Sequence, residues 1–191
     1  MQSPRPVQYA TNAGATQRLV ADLHDAGVDA WSVRADLSSP QGVDELVCAV
    51  DQVIERDSTH EVTALVNNAG LMLSPSFGSA TAADFDRYLA LNARAPLLLT
   101  QALADRMRSV GGVVNVFSVG THFASPGDIV YAMSKAALES LTKNAAPALA
   151  ERGIGINTVL PGFTDNGHPA FRDVEVRAYL ASYAALGLAS K

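Results

Sequence analysis

Short apolar runs bounded by turn residues, with helical periodicity between them, constrain the fold of this chain more than any other feature. Residues 7–9, 28–35, 62–66, 113–117 and 154–160 are rich in Val, Ile, Leu and aromatic side chains and read as strands. Between them, apolar residues return at helical spacing. Leu19, Val20 and Leu23 do so ahead of Gly27, and Val43, Leu46, Val47, Val50, Val53 and Ile54 do so after Ser39-Pro40. Ser39 is predicted to cap that second helix, with Pro40 in its first turn. Helix is also predicted over 81–108, with a kink at Pro96, and over 129–151, while 163–191 reads as loop and helix. Strands alternating with helices make a parallel sheet. Runs that are continuously apolar, rather than alternating, imply cover on both sheet faces.

The 191 residues are 48% apolar and 17% charged, without a repeat or a linker-like shift in composition, so a single domain over 1–191 is predicted. No apolar run approaches the ~20 residues of a membrane span, and no secretory signal opens the chain, so no membrane partner is expected. Fourteen basic against nineteen acidic residues leave a net charge of -5, which repels a phosphate backbone and argues against nucleic acid. One cysteine, Cys48, excludes an intrachain disulfide and fits a reducing, cytoplasmic setting. Cys48 and Trp31 read as packing residues. His24, His60, His122 and His168 are dispersed, without metal-ligand spacing.

Ligands of doubly wound sheets sit beyond the carboxyl ends of the strands. The residues there are Thr11, Asp36, the turn Asn67-Asn68-Ala69-Gly70, Ser118 and Pro161-Gly162. In Tyr131-Ala132-Met133-Ser134-Lys135 a phenol and an amine stand one helical turn apart, on one face. An ammonium favours the phenolate, which would bring a group of pKa about 10 within reach of proton exchange with an alcohol or carbonyl oxygen. The same spacing also suits an amphipathic helix with a half-buried Tyr and a snorkelling Lys. Ser118 ends a strand thirteen residues before Tyr131 and could donate to the same oxygen, or simply form a turn.

These motifs, in this order, resemble the short-chain dehydrogenase/reductase family, and within it the 3-oxoacyl-carrier-protein-reductase-like enzymes. The resemblance runs from about Val7 to Leu186 through Ala35-Asp36-Leu37, Asn67-Asn68-Ala69-Gly70, Leu91-Asn92-Ala93, Val114-Asn115-Val116-Phe117-Ser118, the Tyr131/Lys135 pair and Asn157-Thr158-Val159-Leu160-Pro161-Gly162. It implies a Rossmann-like, doubly wound parallel α/β sheet and hydride transfer between a nicotinamide cofactor and a small-molecule alcohol or carbonyl. Tyr131 would be the acid/base and Ser118 the holder of the substrate oxygen. Lys135 would lower the tyrosine pKa and bind the nicotinamide ribose, and Asn92 would anchor a water in a proton relay. Cofactor contacts would come from Thr11, Asp36, Leu37, Asn68, Ala69, Gly70, Tyr131, Lys135 and Thr164. Tyr9-Ala10-Thr11-Asn12 has no acid to repel a 2′-phosphate and no arginine beside it, so NADP is favoured and NAD is possible. Homo-oligomers are common in the family and are expected here.

The sequence departs from the family at both ends. No Gly-x-Gly-x-x-Gly phosphate turn occurs, and the domain lacks the first strand and helix and the last strand. In the family's strand order the first strand is central, so its two neighbours must close up, pair with another chain, or leave buried groups unpaired at ~1–3 kcal/mol each. A second reading follows: a non-enzymatic remnant or interaction subunit of the same fold, unable to bind cofactor.

Overall fold

The computed structural model describes residues 4–57, 59–107, 111–122, 124–162 and 172–182. Strand β1 (Arg5–Tyr9) leads into helix α1 (Ala13–Asp25), and β2 (Ala30–Arg34) into α2 (Pro40–Arg56). β3 (Ala64–Asn67) is followed by α3 (Ala82–Leu89), a π-helical turn (Ala90–Arg94) and α4 (Ala95–Ala104). Next come β4 (Gly111–Val116), a 3-10 turn (Val119–His122), α5 (Ile129–Ala150), β5 (Ile154–Val159) and α6 (Val174–Ala181). Every strand pairing is parallel, as the strand–helix alternation predicts.

Local chemistry sets the helix starts. Ser39 Oγ accepts the Gly42 N–H at 3.0 Å, with Pro40 in the first turn, and Thr81 and Asp84 cap α3 reciprocally. Gly42 has no room for a side chain, since a Cβ there would fall 2.0 Å from the Asp36 carbonyl oxygen. The first turn of α2 thus presses on the backbone of Asp36 and fixes it at the end of β2. The irregularity predicted at Pro96 lies just upstream of it. Proline offers no N–H to the Asn92 carbonyl, and the preceding turn widens so that the Ala95 N–H reaches back to the Ala90 oxygen.

The strands form two sheets, β1-β2 and β3-β4-β5, rather than one. Helices α2 and α4 join them through a shared core of Leu37, Val43, Leu46, Val50, Ala95, Leu99 and Leu103. That packing holds the sheets apart instead of letting β1 and β3 close up. Between them lies a cleft of about 870 Å³ lined by Pro6, Val7, Gln8, Leu65, Val66 and Leu99 among others. The free edges of β1 and β3 border it. A further parallel strand would fit between these two edges.

Two expectations need correction. Helices α4 and α5 cover one face of β3-β4-β5, where Leu65, Val113, Ile154 and Ile156 pack. On the opposite face Val66 and Val159 are 60% and 51% exposed, so cover on both faces fails for this sheet among the described residues. The reason is that α1 packs on β1 and β2 and does not extend over it. Cys48 is exposed on α2, where it accepts from Gln52, because the buried stripe of that helix runs through Val43, Leu46 and Val50 instead. Trp31 is half-buried beside the cleft. No helix among the described residues is long and apolar enough to cross a membrane.

Candidate active site

Helix α5 packs against β4, β5 and the π-helical turn, and so brings Tyr131 and Lys135 to the carboxyl end of β4, where Ser118 lies. Lys135 is 5% exposed, and its Nζ donates to the Val116 carbonyl at 2.8 Å. The same Nζ lies 6.0 Å from the centre of the Tyr131 ring. Ser118 lies close enough to the Tyr131 phenol to influence its titration, and its hydroxyl accepts the Gly120 N–H at 3.1 Å. Serine, tyrosine and lysine therefore meet at one place.

Asn92 belongs to the same cluster. Fully buried, it accepts the Leu71 N–H at 2.8 Å and donates to the Leu71 carbonyl at 3.0 Å and to Ser134 Oγ at 2.9 Å. Ser134 Oγ in turn donates to the Tyr131 carbonyl at 2.7 Å. The widened π turn carries Asn92 into this position. A Cβ on Gly70 would come 3.1 Å from Asn92 Oδ1 and 3.5 Å from Lys135 Nζ, so the Asn68–Gly70 turn passes directly over both groups. A row of polar side chains backs the cluster. Asn67 Nδ2 donates to Asn115 Oδ1 at 2.8 Å, and Asn115 Nδ2 donates to Thr142 Oγ1 at 2.8 Å.

The remaining sites fall elsewhere. Thr11, Asp36 and Asn68 are exposed beyond β1, β2 and β3. The Asp36 carboxylate accepts from the Ser38 O–H at 2.7 Å and N–H at 3.0 Å, which holds its pKa below the usual carboxylate value. Leu37 is buried in the core, leaving only its backbone for a ligand. Thr164 and His168 lie outside the described residues. Sequence reasoning found no arginine near Thr11. The structure turns Arg18 back toward the start of α1, with Nη1 3.8 Å from where a Gly14 Cβ would stand. It also missed Ser74, Asp128 and Ser134, although Ser134 stood within the Tyr131/Lys135 motif.

The electrostatics reverse one expectation. Lys135 was predicted to lower the pKa of Tyr131, yet the phenol stands above its ordinary value. Burial is the main cause and the Asp128 charge adds to it, while the Ser118 hydrogen bond opposes both. Burial also pushes Lys135 down to about 8, so the charge expected to act on the phenol is lost as the pH rises past that value. A stability effect follows. The folded protein releases the Lys135 proton near pH 8, whereas an unfolded lysine keeps it to about 10.4. Between those values the unfolded chain binds more protons, so stability rises with pH across that window. Melting curves from pH 7.5 to 10 should show a rising contribution in the wild type that Lys135→Met lacks. Parallel curves for the two proteins would refute it.

A family model described as short chain dehydrogenase matches residues 4–173. An oxidoreductase of Escherichia coli K12, itself uncharacterized, is 35% identical, with 82% of this chain covering 64% of that protein. A 3-oxoacyl-[acyl-carrier-protein] reductase of Synechocystis is 30% identical, with 82% of this chain covering 62% of it. The chain thus spans a little under two thirds of these relatives. Among solved structures, the angucycline C-6 ketoreductase LanV with bound NADP superposes at a TM-score of 0.91 with 35% identity, over 97% of this chain and 73% of that one. A Burkholderia cenocepacia short chain dehydrogenase in complex with NADP gives 0.84 with 31% identity, over 97% and 74%. A match that takes in both sheets and the Ser118–Tyr131–Lys135 cluster makes this chain a member of the short-chain dehydrogenase/reductase family.

Proposed function

We propose that the protein carrying these residues reduces a small-molecule ketone to an alcohol with NADPH, Tyr131 acting as the acid. The observation that carries this reading is the convergence of Ser118, Tyr131 and Lys135 at the end of β4. A phenol whose pKa is raised is protonated at neutral pH, which suits it to give a proton to a carbonyl oxygen becoming an alkoxide. Ser118 donates a hydrogen bond to that same oxygen and orients it. Asn92 and Ser134 hold the helix turn that carries Tyr131.

The residues fit both ends of a nicotinamide dinucleotide. Lys135 uses one of its three donors on Val116 and has others for a ribose, and the bare face of Gly70 lets a ligand approach Lys135 closely. Asp36, backbone-fixed and ionised, can accept from an adenine amine. Thr11 beside an acid-free turn, with Arg18 nearby, favours a 2′-phosphate, in keeping with the NADP held by the structural neighbours. The cofactor supplies the hydride when bound. None of these residues forms a glycine-rich phosphate turn. We further propose a cytoplasmic homo-oligomer, the habit of the family.

The test is NADPH fluorescence titration followed by turnover with a β-keto ester and an aromatic ketone. Binding in the range of about 1 μM–1 mM, tighter than for NADH, is expected together with NADPH consumption. A cooperatively folding protein that ignores millimolar NADPH would overturn the reading in favour of the interaction-subunit alternative.

A further inference from the structure

Helix α5 begins at Asp128, but the Asp128 side chain makes no capping bond to its own helix. Its Oδ1 instead accepts the backbone N–H of Ser74, in the loop after β3. Ser74 Oγ in turn accepts the N–H of Tyr131, in the first turn of α5, at 3.0 Å and across 57 residues of sequence. In α3 both halves of such a box are local, with Thr81 taking the Asp84 N–H and Asp84 taking the Thr81 N–H. In α5 the hydroxyl comes from a distant loop, and the carboxylate of the helix holds that loop in return.

The loop is shaped for this contact. Leu73 adopts φ 60°, a left-handed conformation that a non-glycine residue rarely takes and that persists only where the surroundings enforce it. Enforcement is visible just before it: Asn92 grips Leu71 at both backbone groups, and the Tyr88 hydroxyl donates to the Met72 carbonyl at 3.0 Å. The strained residue delivers Ser74, 7% exposed, onto the first turn of α5.

We propose that Ser74 and Asp128 are positioning residues for Tyr131, capping α5 from across the fold and holding the phenol at its place beside Ser118. An N–H at a helix start is one of four without a partner inside the helix, and here it belongs to the acid itself. Tyr131 is therefore tied at its amide by Ser74 and at its carbonyl by Ser134. The Asp128 charge also reaches the phenol and adds to the burial that keeps it protonated, against the Ser118 hydrogen bond, which acts the other way. The proposal rests on Tyr131 as the acid, but its first readout does not depend on turnover.

Hydrogen exchange at the Tyr131 amide decides it. Ser74→Ala and Asp128→Ala should each speed that exchange about tenfold, the loss of one cap. Asp128→Asn, which keeps an acceptor for the Ser74 N–H, should restore slow exchange. In turnover, the two alanine variants should lower kcat about tenfold with KM within about threefold, as displacement of a proton donor does without loss of ground-state binding. Unchanged Tyr131 exchange in both alanine variants, or an Asp128→Asn protein as fast as Asp128→Ala, overturns the proposal. If Ser74→Ala does not fold, the Asp128 pair decides alone. Should Tyr131 prove dispensable for activity, the functional reading falls while the exchange data still judge the cap.

Discussion

Replacing Tyr131 with phenylalanine should lower kcat for ketone reduction by about 10²–10⁴-fold, the usual worth of a positioned general acid. The substitution removes one oxygen and little else. Both backbone anchors of the residue, the Ser74 bond to its N–H and the Ser134 bond to its carbonyl, are untouched. The aromatic ring remains to fill its half-buried place beside Lys135. The phenol, moreover, is desolvated, so its loss relieves burial of a polar group rather than creating a void. KM should therefore move by no more than about threefold and the melting temperature by less than about 3 °C, roughly the effect of 1 kcal/mol. Stopped-flow single turnover separates hydride transfer from product release and should place the whole deficit in the chemical step. A variant that turns over at the wild-type rate would remove the acid role from Tyr131.

Much of this frame was legible in the sequence because the signals were local. Ser39-Pro40 announces the start of α2, and the continuous apolar runs announce the strands to within a residue or two. The spacing of Tyr131 and Lys135 placed them on one helical face, as found. What escaped depends on partners distant along the chain. The contacts of Ser74 with Asp128 and Tyr131 span 54 and 57 residues, and no periodicity encodes them. The sign of the Tyr131 shift escaped for a similar reason. Spacing reports that an amine is near, but the burial that dominates both groups arises only when α5 docks on β4 and β5. The open cleft, by contrast, was foreseeable in position and not in outcome. Whether β1 and β3 close up is decided by how α2 packs on α4, a matter of tertiary geometry.

Asn92→Leu should be the most destabilising single change at the site. Leucine keeps the branched heavy-atom skeleton of asparagine but puts methyl groups where the amide oxygen and nitrogen stood, so every hydrogen bond of the amide is lost and some bulk is added. Removing that amide orphans the Leu71 N–H and carbonyl, and it takes one donor from Ser134, which keeps its bond to the Tyr131 carbonyl. Two backbone groups left half-buried without partners cost ~1–3 kcal/mol each, which puts the loss near ~4 kcal/mol. For a chain of this size that is a fall in melting temperature of about 8–16 °C. The consequence does not stop at stability. Leu71 precedes the left-handed Leu73, so releasing it lets the strained turn relax and withdraws Ser74 from Tyr131. Stability and proton transfer should thus fail together, with the Tyr131 amide exchanging faster even at temperatures well below the melt. Calorimetry and exchange on one sample test this. A melting temperature within about 3 °C of wild type would mean that water replaces the amide, and that Asn92 anchors neither the turn nor the acid.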